Sequence, residues 1–244
     1  MTRLAQGRTT HLEPAEIAAE TLRFFDEGND PSIRQLAAAL QVTPSAIYHH
    51  FGSRSEIVQA AVDIVWQEIL VDLLTRVGDP FETDPVEVLV ASGLSIRKAF
   101  VDHCTIAPYM AATPQPDDLT AGGLAMMASI FERFGLKGEE AAEAFHTYAS
   151  FTFGTALFAA NRKVANQALE RAPENITANG TNGVNGIEGN IGHFVSTTSK
   201  NAADLSSEET RTAMEGVMNV SSTDPERDEE LFEIGLRRMI ASFK

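Results

Sequence analysis

Residues 33–51, IRQLAAALQVTPSAIYHHF, hold the residue types and spacing that point most directly to chemistry. Two short segments with helical apolar spacing flank a turn of three to four residues, and hydroxyl, phenol and imidazole side chains follow the turn. This spacing is typical of a helix-turn-helix, whose second helix enters the major groove of DNA. It fits equally well a three-helix fragment of an ordinary helical bundle.

Local signals predict the helices that must position this stretch. Residues 14–28 are predicted to form a supporting helix, because four apolar side chains fall on one face: Ile17, Ala18, Leu22 and Phe25. Thr43 is a favourable N-cap for the second short helix, and Pro44 suits its first position. Ser53 and Glu56 predict a capping box that opens a long helix ending near residue 76.

The remainder of the chain is also predicted to be helical. Helices are expected at about residues 85–103, 117–135, 139–169 and 225–243, with prolines interrupting the chain between the first two. No run alternates apolar and polar residues for long enough to indicate a sheet, so we predict an all-α fold. The segment 173–201 is rich in Asn, Gly and Thr and is predicted to be a long mobile loop.

The charge of the chain is unevenly distributed. Its 19 Lys and Arg against 34 Asp and Glu give a net charge of −15, which argues against a general polyanion binder. Residues 1–55 hold five Arg and six acidic residues and therefore carry a net charge of only −1. A nucleic-acid site is expected in this near-neutral quarter, with weak nonspecific binding and a modest dependence on salt.

Composition and motifs exclude several classes of protein. Hydrophobic residues at 43% and charged residues at 22% are typical of a globular chain. No apolar run approaches the ~18–20 residues that span a bilayer, and the N-terminus lacks a signal peptide. We therefore expect a cytoplasmic protein that does not contact a membrane.

Cys104 is the single cysteine, so no internal disulfide or cysteine-based zinc site is expected. The sequence has no catalytic motif, which predicts no enzyme activity, cofactor or metal.

Residues 33–58, IRQLAAALQVTPSAIYHHFGSRSEIV, resemble the N-terminal DNA-binding domain of the TetR (tetracycline-repressor) family of transcriptional regulators. The block Tyr48-His49-His50-Phe51, followed by Gly52-Ser53-Arg54, carries the resemblance. It implies a DNA-binding domain over residues 1–55 and a ligand-binding and dimerisation domain over residues 56–244. The implied function is a ligand-responsive repressor that binds double-stranded operator DNA as a homodimer. The alternative is a helical interaction protein that binds small molecules without specific DNA binding.

The resemblance assigns DNA-contacting roles to nine residues: Arg34, Thr43, Pro44, Ser45, Ala46, Tyr48, His49, His50 and Arg54. Arg34 matches a position that reaches a base edge, where a guanidinium can bond guanine. Arg54 stands where the family usually has lysine, at a helix start that favours phosphate. The turn usually has glycine where Gln41 stands, so we expect Gln41 to adopt a left-handed backbone.

The second half resembles, more weakly, the ligand-binding domain of the tetracycline repressors over about residues 85–170 and 228–243. The family's drug-binding and metal-organising positions correspond here to Leu70, Ser92, Met110 and Phe158. Leucine, methionine and phenylalanine cannot ligate a hard cation. We therefore predict no binding of magnesium–tetracycline and expect an apolar small-molecule effector instead.

Candidate residues for the effector pocket share an apolar or mildly polar character: Trp66, Leu70, Ser92, Ile96, Phe100, His103, Met110, Thr113, Met127, Phe131, His146, Phe151 and Phe158. The same types make up an ordinary helical core, and His103 and His146 also suit structural roles. Cys104 is expected to be a buried small hydrophobe. The resemblance further implies a four-helix dimer interface that includes Phe145, Thr152, Phe232, Leu236, Met239 and Phe243.

Overall fold

The protein is described by a computed structural model over residues 12–112, 118–171 and 225–243. These residues form helices and no strand, which confirms the predicted all-α fold. The helices are α1 (Pro14–Asp26), α2 (Ile33–Ala39), α3 (Pro44–Tyr48), α4 (Arg54–Val77), α5 (Pro85–Asp102), α6 (Ala107–Ala112), α7 (Asp118–Arg133), α8 (Glu139–Arg171) and α9 (Pro225–Ala241). Thr113 and the segment 173–201 lie outside the described residues.

Two helices differ from the sequence-based expectation. Helix α3 ends at Tyr48 rather than at residue 51. Helix α6 was not predicted, because Pro108 was interpreted as an interruption. Pro108 is the second residue of α6, where the missing N–H would have had no partner within the helix, so the helix tolerates it.

Contacts divide the chain into two units, of which the first comprises residues 1–164 and 236–244 and the second residues 165–235. The first unit contains α1–α7, most of α8 and the end of α9. The second unit contains, among its described residues, the end of α8 and the start of α9. The domain boundary expected near residue 55 stays a prediction. None of the described helices is long and apolar enough to cross a membrane.

The three N-terminal helices enclose a small apolar core. Ile17 of α1, Leu36 of α2 and Ile47 of α3 are almost completely buried together, and Ile57 at the start of α4 closes the cluster. Ala37 is buried where α2 meets α3, and its small side chain permits the close approach. The predicted helix-turn-helix therefore forms, and it needs the first turn of α4 to complete its core.

Helix α1 also contributes to a second, larger core. Leu22 and Phe25 pack in a cluster with residues of α4, α5, α6 and α8, which include Val62 and Phe100. The Phe25 ring meets Tyr109 of α6 edge to face, with centroids 5.5 Å apart. One helix thus has Ile17 in the core of the helix-turn-helix and Phe25 in the core beside it, so the two cores are coupled through α1.

Side-chain caps define the starts of the short helices. Thr43 Oγ1 accepts the Ala46 N–H at 3.2 Å, which confirms Thr43 as the N-cap of α3. Ser53 Oγ accepts the Glu56 N–H at 3.2 Å and caps α4. The reciprocal half of the predicted box is displaced by one residue, because the Glu56 carboxylate accepts the N–H of Gly52 at 2.8 Å. Local polar bonds therefore fix the helix starts that the sequence predicted.

Gln41 has a positive φ of 57°, which confirms its predicted left-handed backbone. A side chain in this region costs ~1–2 kcal/mol relative to the right-handed region, and glycine avoids that cost. We expect Gln41→Gly to raise the free energy of unfolding by about 0.5–1 kcal/mol and Gln41→Val to lower it. Urea unfolding followed by the fluorescence of Trp66 measures both.

The matched control is Ala39→Gly, within α2. Glycine there is expected to lower the free energy of unfolding by about 0.5–1 kcal/mol, because it loosens a right-handed helix. If Ala39→Gly raised the free energy of unfolding as much as Gln41→Gly does, the backbone of Gln41 would not be strained.

Candidate nucleic-acid interface

The residues predicted to contact DNA lie at the surface of the helix-turn-helix. Arg34, Thr43, Pro44 and Ser45 are exposed, and Ala46 is half-buried. The Tyr48 side chain is 52% exposed although it is large and aromatic. A phenol exposed to solvent at the end of α3 can donate to a phosphate without losing a partner in the protein.

The two histidines after Tyr48 differ in exposure. His49 is exposed and His50 is half-buried. Their rings meet edge to face, with centroids 5.5 Å apart. His49 is therefore accessible to a ligand, and His50 lies closer to the protein body, consistent with a bracing role.

The electrostatics of this surface single out Arg34. Arg23 on α1 is paired with Glu20 and Glu27, and Arg54 is paired with Asp30. Arg34 forms no ion pair with any residue in the described ranges. Its guanidinium therefore keeps all five N–H donors available, the state required to bond guanine O6 and N7 together.

Arg54 has partners within the protein instead of a free guanidinium. It pairs with Asp30 and donates Nε–H to the Pro31 carbonyl at 3.2 Å. The Glu56 carboxylate also lies at this end of α4, where it accepts from Gly52. Arg54 therefore contacts the loop between α1 and α2, and its predicted contact with phosphate stays a prediction.

The N-terminal part of the chain matches a known family. Residues 24–61 match the model for bacterial regulatory proteins of the tetR family. This part of the chain is therefore similar to bacterial regulatory proteins of the tetR family. The match spans α2, α3 and the turn between them, together with the last three residues of α1 and the first eight of α4. No curated protein sequence matches the chain.

The TetR-type fold extends over nearly the whole chain. The Streptomyces coelicolor TetR family protein ActR in complex with actinorhodin is 21% identical, with 96% of each chain covered and a TM-score of 0.65. ActR in complex with (S)-DNPA is 23% identical over 95% of this chain and 96% of that chain, with a TM-score of 0.64. A TetR variant from Acinetobacter baumannii AYE in complex with minocycline is 17% identical. The match covers 95% of this chain and 96% of that chain, with a TM-score of 0.59. These similarities establish a common fold.

Several residues predicted to line an effector pocket belong to one cluster. Ile96, Phe100 and Met110 are buried together, and Trp66 packs against them. Phe153, which sequence analysis did not select, connects this group: its ring lies 5.9 Å from Trp66 and 5.7 Å from Phe100 between centroids. Helical spacing on α8 alone could not distinguish Phe153 from its neighbours.

Phe131, another predicted pocket residue, is fully buried among aromatic side chains. Its ring contacts Phe145 and Tyr148, both at 6.2 Å between centroids, and Phe243 at 5.8 Å. Met127 is also buried. Phe145 and Phe243, predicted for the dimer interface, therefore have partners within the protomer.

The remaining predicted pocket residues differ in position. Leu70 and Phe151 are half-buried, and His146 is exposed. The Phe158 side chain is 68% exposed, so within one protomer it faces solvent. The structure therefore brings Trp66, Ile96, Phe100 and Met110 together, places Phe131 outside that cluster, and leaves His146 and Phe158 at the surface.

The interior between α5 and α8 contains three buried polar side chains. Tyr148 is fully enclosed and donates its hydroxyl to the Leu89 carbonyl at 2.9 Å. Burial raises the pKa of Tyr148 to about 12, with the nearby hydroxyls of Ser92 and Thr152 acting in the opposite direction. Thr152 Oγ1 is buried and has no hydrogen-bond partner among the described residues. An unsatisfied buried hydroxyl can bond a polar group of a ligand.

Three residues predicted for the dimer interface are covered within one protomer. Thr152 and Leu236 are fully buried and Phe232 is 5% exposed. They therefore pack inside the protomer, and their predicted role in a dimer interface stays a prediction. Met239 is half-buried. Apolar periodicity cannot separate an interface from a core, because both bury one face of a helix.

Contacts between the helix-turn-helix region and the helices that follow involve His103 and several residues that sequence analysis did not select. His103 Nδ1 lies 2.7 Å from Asp26 Oδ1, and His103 Nε2 lies 2.9 Å from Glu68 Oε2. The Tyr109 hydroxyl donates to Asp30 at 3.1 Å. These partners are 35 to 79 residues apart in sequence, so no local signal could have identified them.

No cluster of described residues is suited to hold a metal ion. His103 was predicted as a pocket residue or a structural histidine, and its two carboxylate contacts favour the structural role. Cys104 is buried, as predicted.

Proposed function

We propose that the protein is a ligand-responsive transcriptional repressor that binds operator DNA as a homodimer. The observation that carries this proposal is the exposed helix-turn-helix of a tetR-family domain, in which Arg34 has no ion-pair partner among the described residues. Helix α3 enters the major groove, Pro44 and Ser45 face the bases, and Tyr48 donates to phosphate. Two protomers place two copies of α3 on successive half-sites.

The effector is an apolar small molecule that carries at least one polar group. The aromatic cluster around Phe100 and Phe153 supports the apolar part of this proposal. The unsatisfied hydroxyl of Thr152, beside Tyr148 and Ser92, supports the polar part. Ligand-bound ActR shares the fold. Binding releases DNA only if the effector prefers a conformation with another orientation of the helix-turn-helix, and a coupling of ~1–3 kcal/mol suffices.

The dimer surface includes an exposed stripe on α8. Ser150, Gly154, Phe158 and Asn161 follow one another at helical spacing and are all exposed. A Cβ added at Gly154 would meet no atom within 4 Å, so this part of the stripe is open. A large exposed phenylalanine flanked by small residues is suited to close packing of two helices.

The proposal is tested by fluorescence anisotropy on labelled DNA segments tiled across the region upstream of the protein's own gene, at two salt concentrations. We expect saturable binding to one segment by two protomers or a multiple of two. We also expect a modest salt slope, because the N-terminal region carries few basic residues. If no tile binds, selection from random DNA sequences follows. If selection also yields no sequence, the interaction protein without specific DNA binding replaces this proposal.

A further inference from the structure

His103 connects three helices through two carboxylates. It lies at the C-terminal end of α5, and its ring nitrogens contact Asp26 at the end of α1 and Glu68 on α4, at 2.7 and 2.9 Å. The His103 side chain is 14% exposed, whereas both carboxylates remain partly in solvent. We call this arrangement of His103, Asp26 and Glu68 the His103 bridge.

The geometry of the bridge requires a charged ring. A neutral imidazole has one N–H, so it can donate to one carboxylate only and must turn a lone pair towards the other. The imidazolium donates to both. Burial opposes the charge, but the hydrogen bonds and the attraction of Asp26 and Glu68 outweigh burial, so the pKa of His103 lies above its ordinary value of 6.5.

Other charged groups near the bridge already have partners. On α5, Lys98 pairs with Asp102 at 2.5 Å and also attracts Glu68 and Asp72 at longer range. On α6, Tyr109 donates to Asp30 at 3.1 Å. On α8, Lys163 donates to the Val101 carbonyl at 2.8 Å. These groups leave His103 as the cation that contacts Asp26 directly.

The bridge connects the helix-turn-helix to the helices that surround the proposed effector cluster. Helix α1 carries Ile17 in the core of the helix-turn-helix, and Asp26 is its last residue. A fixed α1 therefore fixes the direction of α3. When a dimer binds two half-sites, a fixed separation of the two recognition helices avoids an entropic cost on binding.

We propose that His103 is a positioning residue, which holds the helix-turn-helix in its DNA-binding orientation through Asp26 and Glu68. This inference rests on the proposed DNA binding. It adds that specific DNA affinity depends on the charge of one histidine that does not touch DNA.

The variant Glu68→Gln tests the inference by the sign of its effect. On a chain with a net charge of −15, removal of one negative charge should by itself raise DNA affinity. Loss of the bridge should lower it. We expect Glu68→Gln to weaken specific binding about three- to tenfold, the range for one ordinary hydrogen bond, because the Glu68 carboxylate is partly in solvent. The matched control is Glu143→Gln on α8, an exposed residue with the same change of charge, for which we expect unchanged or slightly higher affinity.

The pH dependence of binding provides a second readout. Because the pKa of His103 is raised, the bridge is fully formed below the ordinary value of 6.5 and is lost as pH rises through the raised value. Specific affinity, measured at constant ionic strength between about pH 6 and 9, should fall over that window. His103→Gln should flatten this fall, and Glu68→Gln should move it to lower pH. The other histidines are unchanged in these variants, so their contributions cancel.

Thermal unfolding and sedimentation establish whether each variant folds and dimerises. If Glu68→Gln fails either test, Asp26→Asn replaces it. Equal affinities for Glu68→Gln and Glu143→Gln, with pH profiles like that of the unmodified protein, would overturn the inference. If the unmodified protein selects no DNA sequence, it is the proposed function that fails.

Discussion

Replacing Arg34 with alanine is expected to weaken binding to the specific DNA site by about five- to 150-fold, since one bidentate contact to a guanine contributes ~1–3 kcal/mol. Arg34 is exposed and forms no ion pair with any residue that the structure describes. Its loss should leave the fold and the dimer intact. Anisotropy titrations on the specific segment and on a scrambled segment measure the effect.

The matched control for this variant is Arg23→Ala. It removes the same charge from the same domain, but Arg23 is engaged by Glu20 and Glu27 on α1. We expect a change in specific affinity of less than about threefold, the size of one screened surface charge. If both substitutions weakened binding to the specific segment and to the scrambled segment equally, Arg34 would contribute only its charge. The proposed contact with a base would then be rejected.

The second large effect is expected for Gly154→Leu on the exposed stripe of α8. A Cβ at Gly154 meets open space, so leucine fits the protomer and improves helix propensity by roughly 0.5–1 kcal/mol. In a closely packed dimer the same side chain has no room. We expect the dimer to dissociate, and DNA affinity to fall by about 10²–10⁴, because each half-site is then bound alone.

Sedimentation velocity and DNA anisotropy measure the two consequences together. Gly122→Leu on α7 is the matched control, because Gly122 is also helical and open at the Cβ position. That variant should stay dimeric and bind DNA normally. A dimeric Gly154→Leu protein with full DNA affinity would place the dimer surface elsewhere.

Most of the helix-turn-helix could be predicted from its sequence because its signals are local. Thr43 caps α3 through a residue three positions away, and Gln41 adopts the left-handed backbone that the turn requires. Ile47 belongs to the apolar spacing of the second short segment, and it is fully buried. Helix α6 was missed because a proline at a helix start and a proline that ends a helix look alike in sequence.

The roles of charged and polar residues were harder to predict. Arg54 resembles a phosphate-binding position, but its partner Asp30 lies 24 residues away and occupies the guanidinium. Thr152 follows the apolar pattern of an interface helix, yet it is fully buried within the protomer. In both cases residue type and period were compatible with two roles, and only the neighbours in space distinguish them.

Most helices, their caps and the residue types of the expected DNA-binding surface could be predicted from local sequence, because they depend on neighbours within one or two helical turns. The packing of the helices then establishes which charges are available and which are engaged. It left Arg34 without an ion-pair partner among the described residues and brought His103 between Asp26 and Glu68 across 77 and 35 residues of sequence. Ion pairs between distant segments depend on how the helices pack. The apolar periodicity of one helix does not identify the residue of another helix with which a charge will pair.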